Sequence, residues 1–389
     1  MNTSQMERVD SLWFNDGNII IEAHGVLFRV YRGLLEARSP VFADLLAFPQ
    51  PDDSETIDGC QVMHLEDSAA DMLYFLKALF DYEFFAPYPA KTDFDSIHGI
   101  LRLGTKYRVE PLRRRALQHL ASAHPTSLAA WDSLCSIPSN STSSFAPPAY
   151  AGPSFDFSNL ELPIITLARA AHANWILPTA FFRALATLSS ADILDGIDYT
   201  SVHVELERAD KVLLLEAGST CLGEPIADIL GFLWSPTVIP GCENANSGGP
   251  ASNGITNACT SSRLMMRVAA ERWRSEALAL LPICVSIATP KGFATVGDEN
   301  GDAELSDGMK SETLHTEGSR VGQSDEDQEG RAIWSEEDFS RLSVCGPCLA
   351  HMKTDWAARR ARFWERLPSL FGLETWEELE RQRFEQAGW

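Results

Sequence analysis

The sequence predicts an α/β domain at the N-terminus followed by a mostly α-helical region. The first observation is the stretch IIIEAHGVLFRV, in which apolar residues alternate around His24-Gly25, a pattern typical of a β-hairpin. The second is a change to helical apolar spacing directly after Ser39-Pro40. The third is that apolar stretches between residues 160 and 290 have helical spacing.

The chain is strongly acidic, with 54 Asp and Glu against 32 Lys and Arg and a formal net charge of −22. This charge argues against a protein whose whole surface binds nucleic acid or an anionic membrane, because phosphate groups would repel it. The N-terminus lacks the pattern of a secretory signal, and the apolar runs are too short to span a bilayer. With eight dispersed cysteines, these features predict an intracellular protein, cytoplasmic or nuclear, with reduced thiols.

The 389 residues suffice for two or three folded units. Segments rich in Ser, Pro and Ala, or in Gly, Ser and acidic residues, bury too little apolar surface to offset their ordering entropy, so they are expected to be disordered. The resulting division is an N-terminal tail (1–13), an α/β domain (14–123), a linker (137–159), a helical region (160–289), an acidic disordered loop (290–331) and C-terminal helices (332–389).

Start signals place the individual elements. The hairpin strands are predicted at 19–22 and 26–30, and a third strand at 61–65. Helix starts are predicted at Ser39, at Ser68 with Asp71, at Thr92 with Asp95, at Pro111, at Ser335 with Asp338 and at Thr375 with Glu378.

These elements resemble the BTB/POZ domain. The residues that carry the resemblance are an F-x-V strand end followed by L-L-x-x-S-x-x-F, here Phe28, Val30, Leu34, Leu35, Ser39 and Phe42. The whole chain is also similar to BTB proteins of basidiomycete fungi, which end in Cys-x-x-Cys, a Trp-rich helix and an F-G-L-x-x-W-x-x-L tail, here starting at Phe371. The resemblance implies an α/β (α+β) BTB/POZ domain at residues 14–123, followed by the helical C-terminal region with its disordered linkers.

The resemblance also implies a protein-interaction adaptor or scaffold. Members of the family self-associate as homodimers or recruit partners such as cullin-type ubiquitin ligases and transcriptional corepressors. A predicted turn contains three aromatic residues next to one acidic residue. These residues, Tyr82, Glu83, Phe84 and Phe85, are candidates for the interaction surface. Aromatic residues at such a turn also occur as ordinary core residues.

The motif Cys345-Gly-Pro-Cys348 admits a thiol–disulfide function as an alternative. Such chemistry needs a thiolate at a helix N-terminus that follows a central strand of a βαβ unit. A helix is predicted after the motif, but the preceding SEEDFSRLSV has a helical pattern and no βαβ unit surrounds it.

A metal site is the third interpretation of the same motif. Cys345, Cys348 and His351 are spaced so that three ligands can converge at a helix start, and Cys242, Cys259 and Cys284 are solitary candidates for a fourth. The preferred interpretation is that both cysteines pack the start of a helix against the helical region of residues 160–289, with no metal and no other cofactor. The sequence contains no catalytic motif of the hydrolase, metalloprotease or phosphate-loop types, so a non-enzymatic protein is expected.

Overall fold

The computed structural model describes residues 6–48, 55–135, 150–151, 160–199, 202–222, 228–235, 237–245, 257–276, 334 and 336–388. The predicted acidic loop lies outside these residues, and so does the predicted linker apart from Tyr150–Ala151. Within these residues, a mixed α/β N-terminal part is followed by a mostly helical part.

The N-terminal part combines a five-stranded sheet with six helices. Its strands are β1 (Glu7–Trp13), β2 (Ile19–Ala23), β3 (Val26–Val30), β4 (Thr56–Ile57) and β5 (Cys60–Leu65), in the spatial order β1-β3-β2-β5-β4. Its helices are α1 (Arg32–Arg38), α2 (Pro40–Ala47), α3 (Ala69–Phe80), α4 (Phe94–Lys106), α5 (Glu110–Ala121) and α6 (Leu128–Cys135). Strand β6 (Thr92–Asp93) pairs in parallel with β7 (Tyr150–Ala151).

Local sequence explains the first of these elements. The predicted hairpin forms, and both of its turn residues, His24 and Gly25, have positive φ angles, as the tightest hairpin turns require. Ser39 caps α2, because its hydroxyl accepts a hydrogen bond from the amide of Phe42 (3.0 Å). The same hydroxyl donates to the carbonyl of Tyr107 (2.6 Å), so the cap also joins α2 to the end of α4.

The sheet buries its two faces unequally. Ile19, Ile21 and Phe28 belong to the large core that α3, α4 and α5 cover. On the other face Ile20 and Leu27 form only a small cluster with two residues of β5. This alternation follows from the period of two in a strand, which sends neighbouring side chains to opposite faces.

The second part is mostly helical, as predicted. Its elements are α7 (Glu161–Ala170), a 3₁₀ turn (Asn174–Ile176), α8 (Leu177–Thr187), α9 (Ser190–Asp195), α10 (Arg208–Leu222), α11 (Gly231–Trp234), α12 (Ala258–Glu276), a second 3₁₀ turn (Glu337–Arg341), α13 (Gly346–Leu370) and α14 (Trp376–Ala387). A short hairpin of β8 (Ile197–Tyr199) and β9 (Val202–Val204) interrupts the helices and was not predicted. None of the described helices is long and apolar enough to cross a membrane.

Helices α13 and α14, the C-terminal helix pair, pack back onto the N-terminal part. The indole rings of Trp364 and Trp376 are stacked with centroids 5.1 Å apart. The indole nitrogen of Trp364 donates to the carbonyl of Thr126 (3.3 Å), and the amide of Gln118 donates to the carbonyl of Ala387 (2.9 Å). The two ends of the chain therefore share one core.

Three predictions need correction. The cap of α4 is Asp93 rather than Thr92, because the Asp93 carboxylate accepts from the amide of Ser96 (2.6 Å) and aspartate is the better cap. The predicted N-terminal tail contains strand β1, which pairs in parallel with β3.

The third correction concerns the helix predicted from Ser335. The described residues there form only the 3₁₀ turn Glu337–Arg341, and Ser335 itself lies outside them. The amide of Ser343 donates to the hydroxyl of Ser262 (2.9 Å) and the amide of Cys345 to the Sγ of Cys259 (3.3 Å). These amides are bonded outside the segment, so they cannot continue a helix.

Candidate metal centre

Four cysteines from three separate segments meet in the helical part of the chain. Cys242 lies in a turn directly after Gly241, whose φ of 80° is in the left-handed region. Cys259 lies in the first turn of α12. Cys345 is the N-cap of α13, and Cys348 lies in the first turn of that helix. We call Cys242, Cys259, Cys345 and Cys348 the thiol cluster.

The sulfur atoms of the thiol cluster are close enough together to be ligands of one metal ion. All four Sγ atoms lie within 4.8 Å of one another, and those of Cys345 and Cys242 are 3.9 Å apart. Four sulfurs bound tetrahedrally to one zinc ion at about 2.3 Å are about 3.8 Å from each other. The spacing is too long for a disulfide, whose S–S bond is about 2.05 Å, and the four cysteines are free thiols.

Local structure fixes where two of the sulfurs lie. Asn257 starts α12, because its side-chain oxygen accepts a hydrogen bond from the amide of Thr260 (2.8 Å). Its side-chain nitrogen donates to the Sγ of Cys242 (3.5 Å). One asparagine thus holds the helix start that carries Cys259 and also contacts the turn that carries Cys242.

Further N–H groups point at the sulfurs. The side chain of Asn244 and the backbone amide of Cys345 both donate to the Sγ of Cys259, each at 3.3 Å. The backbone amides of Cys348 and Glu243 donate to the Sγ of Cys345. Such donors stabilise thiolate rather than thiol, and outer-shell hydrogen bonds of this kind orient the ligands of a metal.

The pKa values of the clustered thiols are shifted in opposite directions. Hydrogen bonds from the backbone amides, that of Cys348 first, lower the pKa of Cys345 to about 6. Burial, followed by the neighbouring thiols, raises the pKa of Cys348 above its usual range, and burial also raises that of Cys242. Four thiolates this close repel one another, so they can all be charged only if a cation lies between them.

The structure brings together four of the cysteines that the sequence offers as metal ligands. Cys345 and Cys348 lie in the thiol cluster together with Cys242 and Cys259, two of the solitary candidates. His351 is exposed on α13 and is not among the residues of the cluster. Cys284 lies outside the described residues. The complete set was not predicted because Cys242 and Cys259 are not a close pair in sequence.

The residues proposed for a protein-interaction surface differ in exposure. Tyr82 is 83% exposed, Glu83 is exposed and Phe84 is partly buried. Phe85 is 1% exposed and packs against the ring of His119, with ring centroids 5.0 Å apart. Phe85 is therefore a core residue, and a surface at this turn consists of Tyr82 and Glu83 with part of Phe84.

Comparisons with known proteins give no identity. A scan against models of protein families matches none of them, and searches of curated proteins and of solved structures find no match.

Proposed function

We propose that this protein binds one zinc ion through the thiol cluster and that the ion has a structural role. The observation that carries the proposal is the convergence of four cysteine sulfurs within 4.8 Å of one another. Four thiolates are the soft, tetrahedral ligand set of structural zinc sites, and they leave no position for a substrate or an activated water.

Zinc at this place joins parts of the chain that are distant in sequence. Cys259 and Cys345 are 86 residues apart, so an ion that holds both closes a long loop. In the chain-entropy model, a cross-link around a loop of this size lowers the entropy of the unfolded chain and raises its free energy by about 4 to 5 kcal/mol. The ion would then fix the start of α13 against the first turn of α12 and the turn that carries Cys242.

Metal analysis of the full-length protein, purified without chelators, tests this proposal. We expect about one zinc per chain in the wild type and under about half an equivalent in Cys242→Ser, Cys259→Ser and Cys348→Ser. Cys60→Ser is the matched control, because Cys60 is also a buried free thiol but lies in strand β5. A wild type below half an equivalent, or a Cys242→Ser protein with as much zinc as Cys60→Ser, would contradict the proposal.

We also propose that the protein is a non-catalytic adaptor or scaffold that binds other proteins through its N-terminal part. The resemblance of residues 14–123 to the BTB/POZ domain supports this role, and so does the exposed aromatic side chain of Tyr82 beside Glu83. The partners expected from the resemblance are a cullin-type ligase, a corepressor or a second copy of the chain.

Affinity capture with the full-length protein tests the adaptor role. We expect the wild type to retain one of these partners and Tyr82→Ala to retain less of it. Phe384→Ala is the control, since Phe384 is a similarly exposed aromatic residue on α14 (68%). Capture of none of the three partner classes, or equal capture by the two variants, would refute the role of this surface.

A thiol–disulfide function is the alternative for the thiol cluster, and one observation favours it. Cys345 lies at the start of α13 with a pKa of about 6, as an attacking thiol does, and Cys348 is buried. The segment before Cys345 is a 3₁₀ turn rather than the strand of a βαβ unit. Reduction of an insulin disulfide by the wild type, lost in Cys345→Ser, would support this candidate. Equal rates would remove it.

A further inference from the structure

The guanidinium group of Arg263 is buried beside the thiol cluster. Arg263 is 2% exposed and lies on α12, four residues after Cys259, so both side chains project from the same face of the helix. Its guanidinium donates to the carbonyls of Phe232 (3.1 Å) and Thr237 (2.7 Å) and to the hydroxyl of Thr260 (3.3 Å).

These contacts satisfy the hydrogen bonds of Arg263 in part but do not neutralise its charge. All three acceptors are uncharged, and no carboxylate of the described residues forms an ion pair with Arg263. The Nε atom has no partner among the described residues. A buried cation without a counter-charge is strongly destabilising, so the residue needs a nearby negative group.

The thiol cluster is the negative group next to Arg263, because the hydroxyl that its guanidinium contacts belongs to Thr260, the neighbour of Cys259. Burial lowers the pKa of Arg263, and negative charge on Cys348, Cys259 and Cys242 opposes that shift. A zinc ion with four thiolates carries a net charge of about −2. The N-termini of α12 and α13 meet at the cluster and contribute about +0.5 each, which leaves about one negative charge to be compensated.

We propose that Arg263 is the buried counter-charge of a zinc–tetrathiolate site and sets the affinity of that site for zinc. This inference rests on the proposed zinc site. Arg263 acts through the thiolates and does not contact the metal, so it is a positioning residue. Its role is electrostatic: the positive charge favours the fully deprotonated ligand set that zinc requires.

The test compares zinc dissociation constants of the full-length protein, measured by competition with a chelator of known affinity. We expect Arg263→Gln to weaken zinc binding by about 10- to 100-fold, the range found for outer-shell residues of metal sites. The matched control is Arg267→Gln. Arg267 is the next arginine on the same face of α12, but it is exposed and lies over the ring of Trp234. We expect its variant to bind zinc like the wild type.

A pH profile separates the electrostatic role from a purely structural one. Removal of the counter-charge should move the midpoint of acid-induced zinc release to higher pH, whereas loss of the bonds to Phe232 and Thr237 alone should not. Arg263→Lys keeps the charge, and we expect its midpoint to stay near that of the wild type. If Arg263→Gln does not fold, the lysine variant decides: a midpoint well above that of the wild type would overturn the inference.

The outcomes distinguish this inference from the proposal on which it rests. A wild type that binds no zinc would refute both. A wild type that binds zinc, with Arg263→Gln equal to it in affinity and in release midpoint, would refute only the role of Arg263.

Discussion

The buried carboxyl group of Glu161 makes the stability of the protein depend on pH. Glu161 is 5% exposed at the start of α7, and its Oε2 atom has no hydrogen-bond partner among the described residues. Burial raises its pKa from 4.5 to about 7, and the charge of Arg183 opposes the shift only in part. The folded protein therefore keeps a proton on this group at pH values where the unfolded chain has released it.

The sign and size of the effect follow from linkage. Between pH 4.5 and about 7 the folded state binds one proton more than the unfolded state, so the free energy of unfolding falls as pH rises. Each pH unit contributes about 1.4 kcal/mol, which gives a total of about 3 kcal/mol across the window and no further change above it. Between pH 5.5 and 8 the expected loss is about 2 kcal/mol.

Urea unfolding of the wild type and Glu161→Gln at pH 5.5 and pH 8 measures this effect. Glutamine has the same shape and does not titrate, so the difference between the two proteins cancels the other ionisable groups. We expect the variant to gain about 2 kcal/mol relative to the wild type between the two pH values. Glu365→Gln, an exposed position on α13, should show no such gain. An equal difference in the free energy of unfolding at both pH values would contradict the raised pKa of Glu161.

Three further substitutions test the packing. Gly99→Ala would place a Cβ 2.9 Å from the Cα of Asp71, where α4 crosses α3, and should lower the free energy of unfolding by about 1 to 3 kcal/mol. Gly33→Ala is the control, because there is open space around Gly33, and we expect no such loss. Equal losses for the two variants in denaturant unfolding would contradict the close contact. Phe85→Ala should lower the free energy of unfolding by about 3 to 5 kcal/mol, because Phe85 is buried, and Tyr82→Ala by under about 0.5 kcal/mol, because Tyr82 is exposed. Similar shifts of the melting temperature for both variants would contradict this difference in burial. Trp376→Ala removes the ring stacked on Trp364 and a 2.7 Å hydrogen bond to the carbonyl of Trp364. We expect the free energy of unfolding to fall by about 3 to 5 kcal/mol and the near-ultraviolet circular dichroism signal to change. An unaltered signal would contradict the stacking.

Local signals predicted much of the N-terminal part. The turn at His24-Gly25 and the caps at Ser39 and Ser68 are each decided by residues within a few positions of one another, and all three form as predicted. Strand β1 was missed because ERVDSLW has little apolar alternation of its own. It becomes a strand through pairing with β3, a contact that the sequence of β1 does not encode alone.

Only half of the thiol cluster could be predicted, because its other half depends on contacts between segments that are distant in sequence. Cys345 and Cys348 are close in sequence, and their spacing at a helix start indicates a pair of ligands. Cys242 and Cys259 join them only through the packing of α12 against the start of α13 and the turn at Gly241. Helical spacing also placed His351 near the pair, but its side chain points to solvent.

Native mass spectrometry of the full-length protein at neutral pH would detect bound zinc without any substitution in the chain. We expect one zinc ion per chain in the folded protein. Denaturation should release this ion and make the four thiols of the cluster reactive towards an alkylating reagent. A folded chain whose mass shows no bound metal, and whose four clustered cysteines are alkylated without denaturation, would contradict it.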